Sequence, residues 1–266
     1  MITGLDHLVI LVRDLDCAAR DYERLGFAVT PGGEHADGLT RNALVPFQDG
    51  SYLELVAFVN PDDSRDNVWG WRRFVATGGL VDHCLASDDL VSDARRLREA
   101  GFEVSGPADG GRRLPDGREI RWRSASVAQE GRALPFLIED LTPRPRRVPA
   151  GRAAIHPNGA TGISALEIAA PDPENAAPDP ENAAPDPENA ARSYATLAGG
   201  PAPKEGGETM RLGSRAVSFA GPEDEDSQRR LDAIGSGPLA MELASGEGGK
   251  RSLDLDLAHG ARIRIG

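Results

Sequence analysis

The sequence predicts an α+β fold built from tandem βαβββ modules, and three observations carry that reading. First, the chain repeats itself: with Gly4 laid on Gly79 without gaps, Leu5 falls on Leu80, Asp14 on Asp89, Leu15 on Leu90, Gly26 on Gly101 and Phe27 on Phe102. Second, each copy opens with an apolar run followed by a helical pattern that stops at a glycine. Third, paired strand patterns separated by turn residues close each copy.

In the first copy, residues 5–12 form the opening strand. Asp14 then caps a helix whose apolar face is Leu15, Ala18, Ala19, Tyr22 and Leu25, since an acidic side chain accepts from the free N–H groups of a first turn. Gly26 supplies the left-handed residue that ends it. A short strand at 27–30 follows, then strands at 41–47 and 51–58 joined by a tight turn at Gln48-Asp49-Gly50. The second copy repeats the order: strand 80–86, helix with Leu90, Ala94, Leu97 and Ala100 after Asp89, then strands at 102–105, 119–128 and 134–141. The paired unit spans residues 1–142, with modules at 1–75 and 76–142.

Residues 143–160 read as a linker, because TPRPRRVPAGRAAIHPNGA is rich in Pro, Gly and Arg. From 161 to 266 a third, degenerate βαβββ-type unit is expected. It has strands at 162–170, 209–212, 215–220, 239–244, 253–257 and 261–265, and an acidic helical insertion at 223–234. Between its first strand and its helix the heptapeptide APDPENA occurs three times, from Ala170 to Ala190. Proline cannot recur inside one helix, so only the last copy, Asp186-Pro187-Glu188, is expected to start it. The tract reads as a surface extension without chemistry, and the third unit as a structural cover for the barrel.

The net charge of −12 argues against nucleic acid and against an anionic membrane surface, both of which require concentrated Lys and Arg. Two cysteines, Cys17 and Cys84, are too few for a disulfide framework. The apolar run from Leu8 to Val12 is too short to span a bilayer and no basic segment precedes it, so a reducing cytoplasm is the expected location.

GLDHLVILVRDL (4–15), GFAVTPGG (26–33), NALVPF (42–47), SYLELVAF (51–58) and LPFLIEDL (134–141) together resemble the vicinal oxygen chelate superfamily, in its glyoxalase-like branch. The resemblance implies a half-open mixed β-barrel of the glyoxalase, bleomycin-resistance and extradiol dioxygenase type. It also implies a divalent metal held by one residue from each first strand and one from each last strand. Carried over residue by residue, those positions are His7, Glu54 and Glu139, with Asp82 the fourth by the gapless offset. Strand alternation puts Asp82 and His83 on opposite faces; a bulge licensed by Gly78-Gly79 would turn His83 inward instead. One imidazole with carboxylates suits Fe²⁺, Mn²⁺, Ni²⁺ or Zn²⁺. Family precedent makes Glu139 the mobile catalytic base of an enolising reaction.

Asn42, Arg121 and Trp122 lie on strands that would line the pocket and are the expected substrate contacts. Trp69 and Trp71 would cover the mouth or pack between modules. His35, His156 and His259 read as loop residues without partners. The leading expectation is a metal-dependent lyase or isomerase acting on a small oxygenated molecule, as a monomer or homodimer. The two-histidine, one-carboxylate set of an extradiol dioxygenase is not found in the sequence. The alternative is a metal-free protein that sequesters a small molecule, and a third reading is an interaction protein that uses the repeat.

Overall fold

The computed structural model describes residues 1–129, 132–170, 187–201, 203, 207–221, 224–246 and 249–266. Its first half is a closed eight-stranded barrel. β1 (Ile2–Leu11), α1 (Leu15–Arg24), β2 (Thr30–His35), β3 (Thr40–Pro46) and β4 (Tyr52–Phe58) form one module. β5 (Gly79–Ser87), α2 (Leu90–Glu99), β6 (Val104–Arg113), β7 (Glu119–Val127) and β8 (Phe136–Asp140) form the other. The strand order around the ring is β1-β4-β3-β2-β6-β7-β8-β5.

The helix signals act as read. Asp14 accepts from the N–H groups of Asp16 and Cys17, and Asp89 accepts from Ser92. Gly26 and Gly101 follow their helices with φ of 86° and 91°. β2 and β6 differ from expectation, since both begin later and run further. Their Gly- and Pro-rich segments, TPGGEH and VSGPADGGRR, read as loop. They are extended because each has a neighbour to pair with, and they meet each other at Glu34–Arg113 and His35–Arg112. That two-pair seam closes the ring.

Alternation sorts the side chains. Leu8 and Ile10 of β1 face outward into the main core with Leu15, Ala18 and Tyr22 of α1 and Ala94 and Leu97 of α2. Val9 and Leu11 face inward with Val56, Cys84, Phe136 and Ile138. The 3₁₀ turn Trp71–Phe74, between the modules, plugs the interior with Trp71 and Phe74, both 2% exposed.

The segment read as a linker is embedded in the barrel. It carries α3 (Arg144–Arg147), whose Arg147 is 1% exposed. His156 is also buried: Nδ1 accepts from the Ala28 N–H and Nε2 faces the Pro46 carbonyl, each at 2.9 Å. Long-range partners of this kind leave no trace in local composition.

The remaining elements are β9 (Ala160–Ala169), α4 (Pro187–Ala198), β10 (Thr209–Leu212), β11 (Arg215–Ala220), α5 (Glu225–Ile234), β12 (Gly237–Ser245), β13 (Arg251–Ser252) and β14 (Arg262–Ile265). They form a sheet of order β10-β11-β9-β12-β14-β13. One degenerate unit was expected, but the pairing shows two pared-down modules. β9 runs parallel to β11 and antiparallel to β12, and β12 runs parallel to β14, as β1 relates to β4 and β5, and β5 to β8. Residues 254–260, expected to contribute to a strand, form a turn instead. α4 starts at Pro187, in the last repeat copy, while residues 171–186 of the repeat tract lie outside the described residues.

This second sheet packs on the outer face of β5, while Ile234 of α5 joins the cluster inside the barrel. His83 stacks on Tyr194 of α4 with ring centroids 5.6 Å apart and planes 8° from parallel. Among the described residues no helix is long and apolar enough to cross a membrane.

Candidate functional site

A cavity of about 400 Å³ opens inside the barrel, and a buried imidazole lies on its wall. His7 is 2% exposed. A bulge in β1 brings it there: Leu5 pairs with Leu85 and His7 with Cys84, so Asp6 is the extra residue. The bulge aims Asp6 at the ring beside it, with Oδ1 2.7 Å from His7 Nδ1. On the other side His7 Nε2 lies 3.2 Å from Glu54 Oε2. His7 therefore stands between two carboxylates.

Glu54 is engaged on both oxygens. Asn42 Nδ2 donates to Oε1 at 2.5 Å, and His35 Nε2 lies 3.5 Å from the same oxygen. His35 is fixed in turn by Thr40 Oγ1, 2.7 Å from Nδ1. Burial works against ionisation of both His7 and Glu54, but their mutual contact and the flanking groups outweigh it. The His7 imidazole is held above its usual range by Asp6 and Glu54. The Glu54 carboxyl is held well below its usual range by His35 and His7. Both shifts favour the charged pair over the neutral one.

Behind His7, Asp6 is fully buried against the Arg147 guanidinium, at 3.0 and 2.9 Å to its two oxygens, and also contacts Arg144. Arg147 additionally holds Asp140 and donates to the Tyr52 hydroxyl at 2.8 Å, while the Tyr52 ring stacks on His7 at 4.5 Å. This network fixes the imidazole plane.

Two glycines make room for the lining. A Cβ at Gly32 would stand 2.0 Å from Asn42 Oδ1, and one at Gly110 would stand 2.5 Å from Trp122 Nε1. Trp122 lies edge-on to His35 at 5.9 Å, and Trp69 and Phe136 pack together at 4.3 Å across the cavity.

Of the residues singled out from the sequence, His7, Glu54, Asn42 and Trp122 line this cavity. Asp82, Glu139 and Arg121 are placed elsewhere. Asp82 is on the inner face and His83 on the outer, and Asp82 pairs with Val9, two residues along from His7. It is satisfied by Trp71 Nε1 at 2.8 Å, by the His83 N–H at 2.8 Å and by Arg132 at 3.5 Å. The residue directly across from His7 is Cys84, the repeat counterpart of Val9; a second bulge, at Val81, falls at the repeat position of Asp6, so Asp82 keeps the position of His7. Glu139 is turned outward and accepts from the Leu90 N–H at 3.3 Å, at the start of α2. The position matching Glu54 is Phe136: Glu54 pairs with Val9 as Phe136 pairs with Cys84, the repeat counterpart of Val9. Arg121 faces solvent, 3.4 Å from Asp109.

Sequence reasoning missed Asp6, His35, Arg112 and Arg147. The Asp6-His7 dipeptide was a visible signal; the other three depend on a seam and a helix that composition does not reveal. His259, also read as partnerless, lies 3.2 Å from Asp21.

The divalent ion implied by the resemblance can be tested against these donors. His7 and Glu54 are adjacent, but His35 approaches the other oxygen of Glu54, and the matching positions of the second module offer Asp82, already held by Trp71 and Arg132, and Phe136. Among the described residues, the group of three His, Cys, Asp or Glu ligand atoms within 4.8 Å of one another is Cys17, Asp21 and His259, outside the barrel. As arranged, the cavity's donors do not fit the four-ligand site.

Comparison with known proteins agrees with the architecture. A crystal structure of a hypothetical protein from Staphylococcus aureus superposes with a TM-score of 0.69 at 12% identity, covering 98% of each chain. A mutant of 4-hydroxymandelate synthase from Streptomyces coelicolor superposes with a TM-score of 0.59 at 15% identity, covering 93% of this chain and 72% of that one. These likenesses show the fold. Among curated proteins none matches the chain. The family described as glyoxalase-like domain matches residues 5–180. With the duplicated βαβββ barrel, that match places the chain in the glyoxalase-like domain family of the vicinal oxygen chelate superfamily.

Proposed function

We propose that the barrel cavity is the active site of an isomerase- or lyase-type enzyme that moves a proton on a small oxygenated substrate. The observation that carries this reading is the buried His7–Glu54 pair, in which one environment raises an imidazole and lowers a carboxyl at the cavity wall. Groups driven apart in this way are suited to opposite roles. Glu54 is the base that accepts a proton from the carbon next to a carbonyl. His7, kept protonated by Asp6, hydrogen-bonds the oxygen on which charge develops. A base held below its usual range is weak, so the chemistry requires that His7 stabilise the enolate.

Asp6, Arg147 and Tyr52 hold the His7 ring, and Asn42 and His35 hold Glu54. No step is routed through a metal, because the donors do not converge on one point. A divalent ion, if carried, would add Lewis-acid polarisation of the carbonyl, and His7, Glu54 and His35 are the residues nearest to supplying it. The aromatic lining also suits a second reading, a protein that binds and sequesters a small molecule without turning it over.

One experiment separates the two readings. A panel of small carbonyl compounds is incubated with the protein in D₂O and followed by NMR. Deuterium washed into the α-position by the wild type, and lost in Glu54→Gln, is the expected result. Saturable binding with no exchange on any panel member overturns the enzyme and leaves the sequestering protein.

A further inference from the structure

Arg112 lines the cavity and is 4% exposed, yet among the described residues it has no acidic partner within 4.0 Å. Its one hydrogen bond there is from Nη2 to the Arg147 backbone carbonyl, and Nε has no partner. A guanidinium offers five donors in a fixed fork, and burying it without an anion is costly. The neighbouring acids are committed elsewhere. Asp6 and Asp140 are held by Arg147, and Glu54 by Asn42 and His7. Burial presses the Arg112 pKa down, which marks the cost of leaving this cation alone.

Its position is also defined by the fold. Arg112 is the direct β-pair partner of His35 across the seam between the modules, so it faces the same cavity as the His7–Glu54 pair. The lining also carries a flat apolar face formed by Trp69, Trp122 and Phe136, with Ile138 beside it.

Taking the acid–base reading above as its basis, we propose that Arg112 is the anchor for a substrate carboxylate, and that the substrate class is a small monocarboxylate with a flat apolar body. A carboxylate matches the fork in a bidentate pair. A phosphate monoester fits less well, because one unpaired guanidinium would leave a dianion half compensated beside Glu54. The carboxylate on Arg112 and the aromatic body against Trp69 and Trp122 together place the substrate's remaining carbons toward Glu54.

Binding tests this without turnover. The full-length protein is titrated with acetate, benzoate, phenylacetate, methyl phenylacetate and phenyl phosphate, using tryptophan fluorescence and calorimetry. At least one aromatic acid is expected to bind, with the matching ester at least tenfold weaker. Arg112→Gln is expected to abolish that difference, and Arg112→Lys to restore part of it. Equal binding of acid and ester by the wild type, tighter binding of phenyl phosphate, or no acid binding below 10 mM each overturns the assignment. Because the wild-type comparison decides alone, a poorly folded Arg112→Gln protein does not rescue the assignment. Acid-selective binding without deuterium exchange would keep this anchor and remove the enzyme, so the two failures are distinguishable.

Discussion

His7 lies directly opposite Cys84 across the antiparallel β1–β5 pair. The duplicated modules meet at this point with His7 and Asp82 at matching repeat positions, so only one of the two carries an imidazole. With Phe136 standing where the repeat would put a second Glu54, the acid–base residues belong to one module. Protein stripped of metal with a chelator is therefore expected to retain its deuterium-exchange activity. Elemental analysis before and after treatment, alongside the exchange assay, checks this; activity that disappears with the metal and returns on adding Mn²⁺ or Zn²⁺ would refute it.

Asp6 acts through His7, so Asp6→Asn should change how the imidazole titrates. Burial lowers the His7 pKa, and Asp6 and Glu54 more than reverse that. A raised folded value contributes stability that is present below the ordinary imidazole range and lost as pH rises through the folded value. With Asp6→Asn the His7 midpoint should fall and that stabilisation should shrink. An NMR titration of the histidine ring protons reads this directly, and an unchanged midpoint would remove Asp6 from its positioning role.

Arg147→Met should cost about 3–5 kcal/mol, the range for breaking a buried ion pair by deleting one partner. Asp6 would otherwise remain charged and fully buried. The double variant Asp6→Asn/Arg147→Met should recover part of the loss. Urea unfolding of the single and double variants measures both; a loss under 1 kcal/mol would show that Arg144 alone compensates Asp6.

His83 stacks on Tyr194, both its ring nitrogens lack a partner among the described residues, and burial lowers its pKa to about 3. A histidine depressed in the folded state takes up a proton more readily when unfolded. Its presence thus destabilises the fold progressively as pH falls below the ordinary imidazole value of about 6.5, with a slope of up to about 1.4 kcal/mol per pH unit. His83→Phe keeps the stacked ring and should flatten the acid limb of a plot of Tm against pH. Parallel limbs in the two proteins would mean that another group controls acid unfolding.

The repeat, the helix caps and the inward face of His7 and Glu54 were legible because they depend on local period and local hydrogen bonding. The second module's site was not. Matching Asp14 to Asp89 is correct, and the bulges at Asp6 and Val81 fall at matching positions, so Asp82 faces inward as the counterpart of His7; its capture by Trp71 and Arg132 depends on contacts distant from the strand pattern. LPFLIEDL resembles SYLELVAF by its acid, whereas the register aligns Phe136 with Glu54 and turns Glu139 to the outside. His35 and Arg112 were hidden by glycine-rich segments that become strands only because each pairs with the other. Arg147 was hidden by a proline- and arginine-rich stretch whose partners are distant in the chain.

The seam between β2 and β6 holds only two residue pairs, and one of them joins His35 to Arg112. Of the two edges on which the modules meet, the other being the longer β1–β5 pair, this short one stitches proton handling to ligand capture. A change that parts those strands by one pair would loosen recognition and reactivity in the same movement.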